Sequence, residues 1–345
     1  MVLMLDSPAL AQLLQQVGVE TFIKELAARI ESDFIAWPRF DKSPRFAAHS
    51  AVGVLELMPA ADAEWFSFKL VNGHPQNPKL GLLTVTAIGM LADVRTGYPR
   101  LISEMTVLTA LRTAATSAMV ARHLASPGAH TMALIGTGCQ SEFQALGFKA
   151  CLGIRRIRYF DPDKAAMDKF ARNLCGAGLV LERCASAAEA VNGAHIVTTA
   201  TAVKGHQIVF PEALIGPGVH INAIGGDCPG KSELDPALLR RARIVVEYLP
   251  QTRIEGDIQL LGPEAEATEF WQIASGAQPA RHNAAEVTVF DSVGFALEDY
   301  SALRYVYDKA RALKLGREVN LVPEVQDPKD LFGYAAALPH RELAA

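Results

Sequence analysis

No stretch of the 345-residue chain is apolar for long enough to span a bilayer. The opening MVLMLDSPALAQLL has no basic leader ahead of an apolar core, so no secretory signal is expected, and a cytoplasmic location is. Positive charge is not in excess. Against 33 Lys and Arg stand 37 Asp and Glu, a formal net charge of −4, which argues against a nucleic-acid partner. Metal-ligand spacing is missing as well. Cys139, Cys151, Cys175, Cys184 and Cys228 form no CxxC, and the nine histidines form no HxH or HExxH pair. The thiols therefore read as free and no metal is expected. Repeats and low-complexity tracts are also lacking. What is present is the composition of a soluble globular protein, 50% hydrophobic and 20% charged, with length enough for two filled cores.

Patterning changes along the chain. Ser7-Pro8 marks a helix entry, and helical spacing runs to about Phe34 with a break near Gly18. A strand-rich region follows at Arg45–His49, Val52–Met58, Trp65–Val71, Thr84–Ala92 and Leu101–Ser103, which predicts an antiparallel or mixed sheet. A long helix is expected from Thr106 to about Leu124, stopped by Ser126-Pro127-Gly128. Beyond it, strands near 131–135, 156–160, 179–183, 195–199, 219–223, 243–246 and 287–290 alternate with helices. That alternation predicts an α/β, Rossmann-type doubly wound parallel sheet beside a mixed α+β domain. A last helix from Gly294 to about Leu315 returns the chain to the first domain. The expected division is 1–115 with 316–345, and 116–315.

The second region opens on TMALIGTGCQSE, a buried strand running into Gly136-Thr137-Gly138 and then a helix from about Gln140. Glycines at such a turn let backbone approach a pyrophosphate, and the helix N-terminus offers free N–H groups. The third glycine position holds Ser141. Asp161, at the end of the next strand, has the spacing of a ribose-binding acid. Strand, glycine turn, helix, strand and acid together predict dinucleotide binding.

Ligands in open parallel sheets bind beyond the carboxyl ends of the strands. Three loops are expected there: Thr198–Thr201, Ile224–Lys231 and Asp291–Gly294. In the second, Gly225 and Gly226 bring backbone close to some other group and Asp227 follows, either in an Asx turn before Pro229 or as an acid/base group. In the first domain Arg45, Lys69 and Arg112 sit in apolar surroundings. Singly each reads as a snorkelling surface cation; together they would clamp a carboxylate. Glu56 is an acid in an apolar strand, facing either water or a cationic amine.

These residues resemble those of the ornithine cyclodeaminase/μ-crystallin family, nearly end to end. The similarity runs through FDKSPRFAAHS, FKLVNGHP, SEMTVLTALRTAATS, ALIGTGCQSEFQAL, INAIGGDCPGKSEL, VEYLPQTRIEGDIQ and VFDSVGFALEDYSALRYV. GGDCPGK and KLVNGHP resemble the ornithine-specific branch. The resemblance implies that Arg45, Lys69 and Arg112 hold the substrate carboxylate, that Asp227 is the catalytic acid/base, and that Val293 touches substrate. It implies NAD contacts from Thr84, Arg112, the turn from Gly136 through Gly138, Cys139 and Gln140, Asp161, Thr201, Ile224, Gly225, Gly226, Asp227, Lys231 and Ser292. Family members associate as dimers through the strand-rich domain, so a homodimer is expected.

The implied reaction converts L-ornithine to L-proline and ammonia. Hydride leaves Cα for NAD⁺, the side-chain amine closes on the resulting imine, ammonia departs, and the cyclic imine takes the hydride back. Asp161 would repel a 2′-phosphate, which suits NAD. Three rivals remain: an NAD-dependent amino-acid dehydrogenase or ketimine reductase, a lysine cyclodeaminase, and a crystallin-like nucleotide binder without turnover. An acid in GGDCPGK speaks against the last, since a pure binder needs none there.

Overall fold

In the computed structural model of the chain, residues 1–202 and 205–337 are described; the final stretch of the expected first domain, 338–345, lies outside them. Two eight-stranded sheets organise the chain. Strands β1 (Val2–Leu5), β2 (Asp41–Lys42), β3 (Phe46–His49), β4 (Val54–Ala61), β5 (Trp65–Gly73), β6 (Ala87–Asp93) and β7 (Pro99–Glu104) belong to the first. The second holds β8 (Thr131–Ile135), β9 (Arg156–Phe160), β10 (Val180–Arg183), β11 (Ile196–Thr199), β12 (His220–Ala223), β13 (Arg243–Val246), β14 (Thr268–Glu269) and β15 (Thr288–Asp291). A last strand, β16 (Arg317–Val319), returns to the first sheet beside β1.

The first sheet runs β16-β1-β7-β6-β5-β4-β2, with β3 also on β4. It is mixed, because β1 pairs parallel to β7 while the meander from β4 to β7 is antiparallel. The second sheet runs β10-β9-β8-β11-β12-β15-β13-β14 and is parallel throughout. Its direction of winding reverses between β8 and β11, where a doubly wound sheet opens a crevice for ligands. Strands β8, β11, β12 and β15 are buried at every position, as expected where helices cover both faces.

The helices are α1 (Ser7–Val17), α2 (Val19–Ile35), α3 (Thr106–Leu124), α4 (Ser141–Leu152), α5 (Lys164–Asn173), α6 (Ala187–Val191), α7 (Pro236–Arg241), α8 (Leu249–Glu255), α9 (Phe270–Ala274), α10 (Ala296–Leu313) and α11 (Leu331–Ala337). Asp6 caps α1 by accepting from Ala9 N at 3.1 Å, and Gly18, at φ 82°, separates α1 from α2. Helix α3 is buried on nearly all sides, and its alanines let neighbours come close: a Cβ on Gly147 of α4 would lie 3.1 Å from Ala114 O. Helix α10 packs against α2 and against β4 and β5, and its Asp299 meets Lys69 of β5 while Glu298 turns to Arg112 of α3. An aromatic cluster joins these parts, with Phe34 against Phe270 at 5.3 Å and Trp37 against Phe295 at 5.6 Å between ring centroids. The segments after β14 and β15 are thereby fastened to the helical start of the chain.

Candidate active site

The glycine turn lies at the carboxyl end of β8, at the reversal point. Gly136 has φ 98°, and a Cβ there would lie 2.5 Å from Ala200 O at the end of β11. Only glycine permits that approach. Gly138 differs. A Cβ there would meet nothing within 4 Å, so the turn faces open space where α4 begins. Ser141 fills the third glycine position by using its side chain: its hydroxyl lies 2.7 Å from Gly138 O and is fully buried. Beside the open turn, Gln140 Oε1 is a buried acceptor with no partner. Asp161 fastens the turn by accepting from Thr137 N at 2.7 Å, while its other oxygen takes the N–H of Asp163 at 2.9 Å. A carboxylate has lone pairs beyond those two, so ribose hydroxyls remain acceptable partners. An open glycine turn, an orphaned acceptor and an acid at the next strand end fit a dinucleotide.

The two glycines of the Ile224–Lys231 loop approach the protein's own acids rather than empty space. A Cβ on Gly225 would lie 2.1 Å from the Glu233 carboxylate, and one on Gly226 2.6 Å from Asp257 Oδ2. Glu233 accepts from Thr201 N at 2.7 Å. Asp257 accepts from Glu233 N and Leu234 N at 2.7 and 2.8 Å. Asp291 in turn accepts from Asp257 N and Ile258 N at 2.9 and 2.8 Å. This relay of buried acids sets the loop, and the loop presents Asp227 outward with its side chain 52% exposed. Asp227 pairs with Lys231 Nζ at 3.0 Å. Burial opposes the charge on Lys231, but Asp227 and Glu233 outweigh it and hold the ammonium above its usual range.

The first-domain cations are not surface residues. Lys69 on β5 is buried and meets Asp299 Oδ2 at 2.8 Å. Burial, reinforced by Arg112, brings its ammonium down to about 8. Arg112 on α3 pairs with Glu298 and, through Nε, with Asp299 at 3.1 Å. Gly294 is pressed against that guanidinium, where a Cβ would lie 2.7 Å from Arg112 Nη1. Arg45 joins the two sheets. Its Nη1 donates to Glu56 at 2.9 Å, its Nε lies 3.2 Å from Glu255, and its Nη2 is 2.6 Å from both Val293 O and Gly294 O. Glu56 is buried and faces Arg45, not water. Burial lifts Glu255 to about 7 against the pull of Arg45. Burial likewise lifts Glu298 to about 7, opposed by Arg112 and helped by Glu247.

Of the expected residues, the structure gathers Arg45, Glu56 and Val293 directly, with Asp227 close enough to act electrostatically on Arg45. Lys69 and Arg112 meet through Asp299. Ser292 donates to Glu247 at 2.5 Å, and Arg112 acts on Glu247 in turn. Ile224, at the head of the glycine-rich loop, donates its N–H to Thr199 O at 3.1 Å. Cys139 is exposed at the open turn. Thr84 stands apart: it precedes β6, rather than lying in it, and its carbonyl accepts from His74 N and Asn72 Nδ2. Six acids were not anticipated as site groups from sequence: Glu233, Glu247, Glu255, Asp257, Glu298 and Asp299. The signal available was their position, Glu247 at the end of an apolar strand and Glu298-Asp299 amid the apolar residues of α10.

Comparison with known proteins agrees with this geometry. The pattern of the ornithine cyclodeaminase/mu-crystallin family matches residues 8–314. An ornithine cyclodeaminase of Brucella suis biovar 1 (strain 1330) is 54% identical over 332 residues, which is 96% of this chain and 92% of that protein. Among solved structures, a lysine cyclodeaminase described for its recognition of L-lysine, L-ornithine and L-2,4-diaminobutyric acid superposes with TM-score 0.88 at 29% identity. That match covers 95% of this chain and 98% of the other. An archaeal alanine dehydrogenase dimer with bound NAD superposes with TM-score 0.85 at 28% identity, covering 93% and 99%.

Proposed function

The chain belongs to the ornithine cyclodeaminase/mu-crystallin family, and from that premise we propose that it converts L-ornithine to L-proline and ammonia with NAD as a catalytic, unconsumed cofactor. The observation that carries this reading is the charge balance at the junction of the sheets. Around the guanidinium of Arg45 stand three carboxylates, Glu56, Glu255 and Asp227, of which Asp227 also pairs with Lys231, so the acids outnumber the cations three to two. A surplus of acid suits an amino acid with a second, cationic amine better than it suits alanine.

In this reading Gly136, Gly138, Cys139 and Gln140 receive the pyrophosphate and Asp161 a ribose. Thr84, Arg112, Thr201, Ile224, Gly225, Gly226, Lys231 and Ser292 complete the cofactor's surroundings. Bound there, NAD supplies a hydride acceptor, and later a donor, for the substrate Cα. Lys69 and Arg112 take the substrate carboxylate, with Arg45 ordering the acids beside them. Val293, which is buried, excludes water from the reacting carbon. Asp227 moves the proton at the α-nitrogen, for which an accessible carboxylate on a preset loop is suited. Tethering of the amine to the carbon it attacks replaces a bimolecular encounter, worth an effective concentration on the order of 10⁵ M or more.

The same proposal includes a homodimer, a cytoplasmic location and the two-domain division at 1–115 with 316–345 and 116–315. Among the described residues no helix is long and apolar enough to cross a membrane. Support for the dimer comes from the outer face of the first sheet. Phe46, Leu57, Leu70 and Ile88 are paired in register across β3, β4, β5 and β6, and all four are exposed, Phe46 by 71%. An apolar row of this kind calls for a cover.

The deciding experiment incubates the protein with L-ornithine and a trace of NAD⁺ while following ammonia, proline and nicotinamide absorbance. Proline and ammonia in equal amounts without net reduction of the cofactor are expected. Net reduction would instead make this an amino-acid dehydrogenase. No reaction with ornithine but pipecolate from L-lysine would move the substrate by one methylene, a difference of only about 1–3 kcal/mol. NAD binding without any turnover would leave the binding-protein reading.

A further inference from the structure

We propose that Glu255 is the proton acceptor for the substrate's side-chain ammonium, the group whose deprotonation frees the amine for ring closure. This rests on the cyclodeaminase reading and deepens it. Glu255 ends α8 and is 7% exposed. Its Oε2 is buried and accepts no hydrogen bond, although Arg45 Nε lies 3.2 Å away. The reason is alignment: with its Nη2 turned to Val293 O and Gly294 O and its Nη1 to Glu56, Arg45 meets Glu255 as an ion pair and not as a hydrogen bond, and its Nε is likewise left without an acceptor. Glu56 is thus hydrogen-bonded, whereas Glu255 lies within the same charge cluster with acceptor capacity unspent. An unpaired buried acceptor is costly, and a cationic donor is the partner that relieves it.

The carboxylate is also held in place. A Cβ on Gly256, the next residue, would lie 2.6 Å from Asp291 Oδ2, so the backbone after Glu255 is pinned against the second sheet. The groups acting on Glu255 are Arg45, Glu56, Asp227 and Gln251. Burial and the two neighbouring acids place its titration near neutrality, where a group can both take and return a proton.

The step balances as follows. One ammonium proton passes to Glu255, leaving a neutral amine. Its lone pair forms the new C–N bond at the iminium carbon. A proton then moves from the ring nitrogen to the original α-nitrogen, and the Cα–N bond breaks with its electron pair on departing ammonia. The cyclic iminium remains, and ammonia carries away the proton held by Glu255 as ammonium.

The test is Glu255→Gln, with Glu255→Asp and Glu56→Gln beside it. L-Norvaline, which lacks the side-chain amine, serves as a competitive probe and, by the rise in Tm it causes, as a check on folding. For Glu255→Gln the expected result is proline formation reduced about 100-fold or more, with the acid limb of the kcat profile near pH 7 abolished. Reduction of nicotinamide in a single turnover with ornithine should persist, and norvaline inhibition should change by less than about threefold, within the scatter of uncoupled sites. Glu255→Asp should recover part of kcat. The inference is overturned if Glu255→Gln keeps kcat and the acid limb, or if only Glu56→Gln removes them. If wild-type protein forms no proline at all, the proposed function fails first, and this step with it.

Discussion

Two sets of buried carboxylates lie within one crevice, and they are satisfied differently. Asp257 and Asp291 each accept two backbone N–H groups, and no Lys or Arg side chain pairs with either among the described residues. Glu56, Glu255, Glu298 and Asp299 are instead held by Arg45, Arg112 and Lys69. Backbone donors cannot leave, so the first set serves as a fixed frame that ties the loops after β12 and β15 together. Side-chain cations can exchange one carboxylate for another, so the second set can admit a substrate that brings its own carboxylate and amine. A buried ion pair is weak evidence of stabilisation, because desolvation offsets most of the attraction. Its concentration at the sheet junction is better explained by what it can bind.

Asp227 belongs to neither set, and its substitution should have the largest effect. Because its side chain is half exposed, Asp227→Ala should leave Tm and NAD binding nearly unchanged while lowering kcat on L-ornithine about 10³-fold. Calorimetric titration with NAD beside steady-state rates measures both; activity close to wild type would remove Asp227 from the mechanism. The frame should respond in the opposite sense. Asp291→Ala leaves two buried N–H groups without acceptors, and a loss of about 3 kcal/mol in unfolding free energy is expected. Urea denaturation reads it directly. If the protein instead kept its stability and lost only turnover, the division between frame and exchangeable charges would be wrong.

Much of this architecture was legible, and the omissions have physical causes. Helix α3 begins and ends where Thr106 and Ser126-Pro127-Gly128 place it, because its limits are set by local chemistry. The parallel strands β8 to β13 and β15 lie within a residue or so of where their patterns place them, and for β8, β11, β12 and β15 burial on both faces leaves an uninterrupted apolar signal. Strands β1 and β16 were not legible: each is short, and each exists only by pairing with a distant partner. For the same reason β6 starts at Ala87, three residues later than its apolar pattern, with Thr84 left in a loop. Among the site residues, Arg45, Lys69 and Arg112 stood out as charges in apolar surroundings. Of their counter-charges only Glu56 did, because an acid such as Glu255 is unremarkable in Arg253-Ile254-Glu255 until α8 turns it toward Arg45. Partnership across more than two hundred residues leaves no spacing to read.

Ser141 gives the smallest expected effect and the finest probe of the frame. The position calls for glycine in the usual fingerprint because the helix must start close to the preceding strand. Here the hydroxyl turns that constraint into a contact, 2.7 Å from Gly138 O and wholly buried. Ser141→Ala keeps the size of the residue and removes the contact, at a cost of about 1 kcal/mol. NAD affinity should fall by less than tenfold, because the groups that face the open side of the turn are backbone N–H groups that the substitution leaves in place. Ser141→Gly removes the contact and adds backbone freedom at the first residue of α4, so it should cost slightly more, by about 0.5–1 kcal/mol. A glycine variant more stable than the alanine one would mean that Ser141 is strained in the turn rather than holding it.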